Sequence, residues 1–490
     1  MSVYQLFING KWVKSASGKT FESLNPATGK SIGKFQDGNE KDLQKAVEAA
    51  KSAYPAWRDT PAPVRGKMLL RFARLLEENK ERLAQSLTEE MGKILPEARG
   101  DVQEAIDIAE YMAAEGRRLF GHTTTSELAD KFAMTIRQPI GVVGIITPWN
   151  FPIAIPAWKI CPALVCGNTV VFKPASDTPR CAIEFIKLLI EAGLPNGVIN
   201  LVTGSAEKVG QPLVKHPDVR MISFTGSHST GEWILKNAGV KKIGLELGGK
   251  NPIIIMDDAD LSLAVDGVIF GAFATTGQRC TAASRVIIHE KVLKKFEQML
   301  VVKTKKLKVG NGIFPKTDVG PVINSNAIKK IEYYCELGKK QKAKLLIGGK
   351  KVAGAGNFFE PTVFSQVSHK MAIAQEEIFG PVVALISVKN FDEAIRYANG
   401  TKYGLSSSIY TKNISYAFKA IHELESGLVY VNSSTIGSEA HLPFGGVKGT
   451  GNGTREAGIE GINEFSETKT VYIDYSGKLQ KAQIETFKPK

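Results

Sequence analysis

Cys280 stands in a turn suited to a nucleophile: Thr275-Thr276-Gly277-Gln278-Arg279-Cys280-Thr281-Ala282. The stretch is polar, softened by glycine, and places a permanent cation beside the thiol. A cysteine attacks as its thiolate, and a neighbouring positive charge or a helix N-terminus favours that form. Arg279 supplies the charge, and Thr281-Ala282-Ala283 is expected to open a helix. The other four cysteines, Cys161, Cys166, Cys181 and Cys335, lie in apolar or helix-like runs and read as small core residues. A second chemical group is Glu246, in Glu246-Leu247-Gly248-Gly249-Lys250. An apolar strand end would raise its pKa toward that of a useful general base, unless it pairs with Lys250. Glu376-Glu377-Ile378-Phe379-Gly380-Pro381 adds two carboxylates, an aromatic and a turn.

The surrounding elements must bring these groups together. Residues near 43–57, 68–76 and 96–119 repeat at helical spacing, so the first part is largely helical. An alternating pattern follows. Strand-like runs at Val142–Ile146, Thr169–Phe172, Val198–Val202, Met221–Phe224 and Ile243–Leu247 alternate with helix-like segments at 154–164, 180–192, 207–214 and 230–238. This predicts an α/β fold with a doubly wound parallel sheet and a ligand crevice at the strand C-termini. A second α/β unit begins near Lys250, with strands near 285–289, 345–348, 382–388, 406–410 and 428–432. A strand over Gln5–Val13, a hairpin over 123–138 and a terminal strand over 469–474 complete the reading.

Several marks sit at strand ends of the first sheet. Thr147-Pro148-Trp149-Asn150-Phe151-Pro152 follows the first strand, Lys173-Pro174-Ala175-Ser176 the second, and Phe224-Thr225-Gly226-Ser227 the fourth. A lysine there can bind ribose hydroxyls or phosphate. Gly226-Ser227 at a helix N-terminus offers backbone N–H groups to a pyrophosphate. The GxGxxG fingerprint is missing.

With Pro443-Phe444-Gly445-Gly446, these motifs occur in the order and at about the spacing of the aldehyde dehydrogenase superfamily, which the chain resembles over nearly its whole length. The resemblance implies a Rossmann-like cofactor domain (1–120 and 140–247), a catalytic α/β domain (248–448), and a small β oligomerisation element (121–139 and 467–490). It implies that Cys280 attacks an aldehyde to give a thiohemiacetal, that Asn150 and the Cys280 N–H bind the oxyanion, and that Glu246 activates water against the resulting thioester. Glu377 would hold the nicotinamide ribose, Phe379 the ring, Lys173 the adenine ribose and Ser227, with Gly226, the pyrophosphate. Ile146, Thr147 and Trp149 would line the cofactor site. Phe151, Ile155, Trp158 and Phe444 would form the substrate tunnel.

Two departures from the family pattern bear on specificity. Many NAD-preferring members carry glutamate where this chain has Ser176. A serine removes its repulsion of a 2′-phosphate, so NADP is the expected preferred cofactor, with NAD possible. Arg279 precedes the nucleophile where members acting on alkyl aldehydes carry a small or neutral residue; an arginine fork suits a carboxylate or phosphate. The loop Ser433–Leu442, expected to close the entrance, and Gly449-Thr450-Gly451-Asn452-Gly453 look like the semialdehyde dehydrogenases that oxidise 2,5-dioxopentanoate. Alternatives are a broad-specificity aldehyde dehydrogenase and non-phosphorylating enzymes for glyceraldehyde 3-phosphate or succinate semialdehyde.

Composition bounds these readings. At 490 residues the chain holds two or three domains. Five cysteines without paired spacing point to a reducing, cytoplasmic setting, and no CxxC supports a metal site. The charge-free stretch 138–158 contains four prolines and is read as a strand, turn and helix start, not a membrane span. The net charge of +14 is spread over lysines that alternate with apolar residues, without a nucleic-acid signature; it suits anionic cofactors and substrates. A CoA-acylating enzyme is disfavoured by Glu246. GxSxG and HExxH are both absent. A catalytically silent structural protein is disfavoured by Cys280, Glu246 and Asn150 standing together. The expected assembly is a homo-oligomer, a tetramer or dimer.

Overall fold

The computed structural model describes residues 2–484. The first sheet has seven strands. Its parallel members are Val142–Ile146, Thr169–Lys173, Ile199–Leu201, Val219–Thr225 and Lys242–Glu246. Across the sheet they run 242–246, 219–225, 142–146, 169–173, 199–201. The chain starts in the middle, walks to one edge, then returns and walks to the other. The reversal lies between 142–146 and 219–225, where a doubly wound sheet opens its crevice. Register fixes what stands there: Ile146 pairs with Lys173 on one side and Phe224 on the other, and Thr225 pairs with Glu246.

The second sheet runs 344–347, 362–365, 382–388, 283–289, 251–255, 406–410, 428–431, parallel except for its first pair. The link from Glu246 to Asn251 is only four residues long. The carboxyl end of one sheet is therefore joined directly to the amino end of the other. The site forms at this junction.

Helix Ala154–Cys166 is apolar apart from Lys159 and almost wholly buried between the sheet and helix Leu95–Glu115. Ile160, Leu164 and Val165 are fully buried there. Each such side chain contributes roughly 1.5–3 kcal/mol of transfer free energy. A third sheet joins Thr123–Thr125, Lys131–Pro139 and Ser466–Asp474. The last two strands are antiparallel and in register from Ser466–Pro139 to Asp474–Lys131. Part of the predicted terminal element, residues 485–490, lies outside the described residues.

Several expectations need correction. The N-terminal strand is a hairpin, Leu6–Ile8 and Lys11–Val13, turning at Asn9-Gly10, both with positive φ. This conformation is what an Asn-Gly pair favours. The 96–119 helix ends at Glu115, and a further helix, Lys80–Met91, precedes it. Strands Asn251–Ile255 and Thr362–Ser365 and helices Leu261–Phe273 and Ile414–Glu423 complete the second unit. Thr281-Ala282-Ala283 opens no helix: strand Ala283–His289 begins there, rich in β-branched residues.

Candidate active site

Cys280 sits at the amino end of the second sheet. It follows helix Leu261–Phe273 and a short 3₁₀ turn, Ala274–Gly277. Its carbonyl accepts a hydrogen bond from Asn251 Nδ2 at 2.7 Å. The loop is tied to the first sheet by Asn150, whose Nδ2 donates to the Gln278 carbonyl at 3.0 Å. Asn150 is buried in the turn between strand 142–146 and helix 154–166.

The electrostatics of Cys280 differ from the sequence expectation. Its pKa is pushed up to about 12, by burial first and then by Glu246 and Glu377; the Thr281 N–H and Arg279 pull it back only weakly. With no helix N-terminus at the thiol, the nearby carboxyls outweigh the guanidinium. Cys161, Cys166, Cys181 and Cys335 are buried, as expected.

Glu246 is buried at the end of its strand, and neither carboxylate oxygen has a hydrogen-bond partner. It does not pair with Lys250, whose buried amino group also lacks a partner. Desolvation raises the Glu246 pKa well above its ordinary range; Glu456 adds to this, and Lys159 opposes it. Lys159 is ion-paired with Glu456 and donates to Ser223 Oγ at 2.9 Å, and Ser223 Oγ donates to Glu464 at 3.2 Å. Gly445, with φ +148, leaves the room Glu246 occupies: a Cβ there would stand 2.6 Å from Glu246 Oε1.

Cys280, Arg279, Glu246, Phe151, Ile155, Trp158 and Phe444 all line one cavity of about 750 Å³. The Trp158 and Phe444 rings meet edge to face at 4.8 Å. Gly437, Ser438 and Ala440 of the 433–442 loop form part of the wall. Arg279 makes no ion pair among the described residues. Its Nε donates to Thr275 Oγ1 at 2.9 Å, and its guanidinium carbon lies 5.1 Å from the centre of the Phe151 ring.

The remaining candidates line the crevice of the first sheet. Lys173 is buried; its Nζ donates to the Pro174 carbonyl at 2.9 Å, and desolvation lowers its pKa to about 8. Ser176 Oγ donates to the Gly204 carbonyl at 3.2 Å. Gly226 leads into Ser227, which caps helix His228–Asn237 by accepting from Thr230 N–H. Glu377 accepts from Gly249 N–H at 3.0 Å, and a Cβ on Gly248 would stand 2.5 Å from its Oε2. The Trp149 and Phe379 rings meet edge to face at 5.5 Å. Ile146 ends strand Val142–Ile146, and Thr147 follows it.

Sequence reasoning missed a row of acids. Glu97, Asp101 and Glu104 recur on one face of helix 95–115 and line the cavity wall. Glu97 holds Thr275. Asp101 accepts from Ala154 N–H at 2.7 Å and from the fully buried Lys93 at 2.8 Å. Glu104 accepts from Ser438 Oγ at 2.9 Å. Their spacing, running beside the apolar stripe of Ala98, Val102 and Ala105, was the available signal.

The crevice of a doubly wound sheet thus opens onto a thiol, an amide and a buried carboxyl. The chain belongs to the aldehyde dehydrogenase family, whose sequence model matches residues 12–471. It is similar to the alpha-ketoglutaric semialdehyde dehydrogenase of Bacillus subtilis, 44% identical over 96% of this chain and 98% of that one. Among solved structures it resembles Staphylococcus aureus betaine aldehyde dehydrogenase in complex with NAD+, with TM-score 0.95, 38% identity, and 97% and 96% of the two chains covered. It also resembles an E. coli NADP-dependent enzyme, with TM-score 0.94, 38% identity, and 96% and 98% covered. Among the described residues no helix is long and apolar enough to cross a membrane.

Proposed function

We propose that the protein irreversibly oxidises an aldehyde bearing a remote anionic group, 2,5-dioxopentanoate above all, to the carboxylic acid, using NADP in preference to NAD. The observation that carries the substrate reading is Arg279, a cation without an ion-pair partner among the described residues, in the cavity that holds Cys280. The Bacillus subtilis relative, named for a semialdehyde of this kind, supports it.

The crevice fits a nicotinamide dinucleotide. The N-terminus of helix 228–237 offers N–H groups for a pyrophosphate, and the buried Thr225 Oγ1 beside it has no partner. Lys173 and Ser176 would hold the adenine ribose, Gly226 and Ser227 the phosphates, and Glu377 the nicotinamide ribose. Phe379, Trp149, Ile146 and Thr147 would bound the ring. When bound, the ring supplies the hydride acceptor. Ser176 sets no carboxylate of its own against a 2′-phosphate, while Asp177 and Glu207, both close enough to act on the Lys173 ammonium, keep NAD competitive.

Cys280 loses its proton to Glu246, and its sulfur attacks the aldehyde carbon. The oxyanion is met by the Cys280 N–H and by the second amide hydrogen of Asn150, the first being held by Gln278. Departure of hydride leaves a thioester on Cys280. Once its proton has passed on to solvent, Glu246 takes one from water as the hydroxyl attacks that thioester. The carboxylic acid leaves and the thiol is restored. We further propose that the enzyme is cytoplasmic and acts as a homo-oligomer.

The test is reduced-cofactor formation over 2,5-dioxopentanoate, succinate semialdehyde, glyceraldehyde 3-phosphate, hexanal and an aminoaldehyde, each with NAD and NADP. A kcat/KM advantage for anionic aldehydes, lost in Arg279→Ala, is expected. Ser176→Glu should shift the cofactor ratio toward NAD. Equal rates with hexanal would make the protein a general aldehyde dehydrogenase. Preference for the aminoaldehyde would mean that Asp101 and Glu104, rather than Arg279, select the substrate.

A further inference from the structure

We propose that Glu97 is a positioning residue for substrate selection: acting through Thr275, it sets the Arg279 guanidinium in the orientation that favours anionic aldehydes. The inference rests on the reading of Arg279 as the anion anchor.

The backbone before the nucleophile is strained. Thr275 and Thr276 have φ/ψ of 51°/27° and 58°/33°, the left-handed region, which β-branched residues rarely enter. Such a pair persists only where surrounding contacts over-determine it. Glu97 supplies several of those contacts. Its two carboxylate oxygens accept from Thr275 N–H at 2.9 and 3.0 Å, and Oε2 also accepts from Thr275 Oγ1 at 3.3 Å. Thr276 Oγ1 is fixed separately, donating to the Gly320 carbonyl at 3.0 Å.

The polarity of this arrangement reaches the substrate cavity. A threonine hydroxyl has one proton and two lone pairs. With its proton given to Glu97, the Thr275 oxygen is left to accept, and it accepts from Arg279 Nε at 2.9 Å. The series runs guanidinium, hydroxyl, carboxylate, each donating to the next. It pins the arginine at Nε, with the guanidinium against the Phe151 ring. The terminal amino groups, the fork that grips a carboxylate, make no hydrogen bond among the described residues. Glu97 balances the charge of Arg279 through a hydroxyl instead of pairing with it directly. A direct pair would occupy the fork.

The test compares wild type with Thr275→Ala, Thr275→Ser, Glu97→Gln, Arg279→Ala and the double variant Glu97→Gln/Thr275→Ala. The readout is kcat/KM for 2,5-dioxopentanoate divided by that for hexanal, both with NADP. Thr275→Ala should lower this ratio about tenfold, the scale of one hydrogen bond to a charged group, with the loss falling on KM for the anionic aldehyde. Thr275→Ser, which keeps the hydroxyl, should restore it. Glu97→Gln should lower it comparably, and the double variant should be no worse than either single one. Should Thr275→Ala fail to fold, Glu97→Gln against Thr275→Ser carries the comparison. A ratio that falls in Arg279→Ala but holds in Thr275→Ala and Glu97→Gln overturns the positioning role and leaves the anion anchor standing. A rise in Glu97→Gln would mean that its charge simply repels the substrate. Additive losses in the double variant would also overturn it. No change in Arg279→Ala removes the anchor itself, and this inference with it.

Discussion

Cys280 meets neutral solution as a thiol. Burial, Glu246 and Glu377 push its pKa up to about 12. A group raised in this way stays uncharged through neutrality and ionises only as the pH climbs toward the raised value. Iodoacetamide labelling of the free enzyme should therefore be slow at about pH 7 and still climbing at about pH 10, past the ordinary thiol range. Cys280 is partly exposed in its cavity and the other four cysteines are buried, so the label reports Cys280. Cys280→Ala should lose both labelling and dehydrogenase activity. A labelling plateau near the ordinary thiol value would show that Arg279 governs the thiol after all. Glu246 has the same direction of shift and a different consequence. It can take a proton from water only as the carboxylate, so turnover limited by thioester hydrolysis should rise with pH through its raised pKa. Glu246→Gln should slow the first-turnover burst of reduced cofactor, because Cys280 loses its proton acceptor, and should lose about 10²- to 10⁴-fold in the turnover that follows.

Helix 95–115 is the element that spaces the tunnel. Three of its acids each hold a different piece of wall: Glu97 the turn before Cys280, Asp101 the start of helix 154–166, and Glu104 the 433–442 loop. Asp101 also neutralises Lys93, which is fully buried with its amino group 3.6 Å from the Phe151 ring centre. Removing one partner of a buried ion pair leaves an uncompensated charge. Asp101→Ala should therefore cost about 3–5 kcal/mol, while Lys93→Met/Asp101→Leu should recover most of it. Urea unfolding midpoints decide this, and a loss below about 1 kcal/mol in the single variant would mean that the ring and solvent already shield the ammonium. This row also marks where sequence reading stops. The parallel strands were legible because a buried strand is a short apolar run of fixed length; Val142–Ile146, Val382–Val388 and Ser406–Tyr410 stand within their predicted bounds. The crevice residues were legible because the loops of a doubly wound sheet collect at the strand ends. The contacts of Glu97 with Thr275 and of Glu104 with Ser438 span long stretches of chain, and no local pattern encodes them. The setting of Cys280 escaped for a related reason. Its raised pKa comes first from burial and then from carboxyls on other elements, while the adjacent Arg279, the only charge visible locally, is a minor influence.

At the scale of the whole molecule, the third sheet stands apart from the two that build the site. Strand Ser466–Asp474 lies at its edge, paired among the described residues only with Lys131–Pro139. Beyond Ser466, whose carbonyl accepts from Lys242 Nζ, one side of this nine-residue strand has no strand partner among the described residues, and such an edge is a template for another strand. Phe132, Ile136, Tyr472 and Ile473 on the same sheet are exposed, and so are Tyr475 and Leu479 just beyond it. Apolar groups gathered beside an open edge suit an association surface. The occupant consistent with a homo-oligomer is a second copy of this chain. Light scattering should then give a mass that is a multiple of 53.2 kDa. Tyr472→Glu/Ile473→Glu should yield a smaller species, because introduced carboxylates on that edge would have to be desolvated at the contact. The wild-type thermal midpoint should rise with protein concentration, since association stabilises only the folded chain, and the midpoint of the variant should not. A wild-type mass of one chain at tens of micromolar, with a midpoint indifferent to concentration, would instead leave that strand a solvent-facing edge.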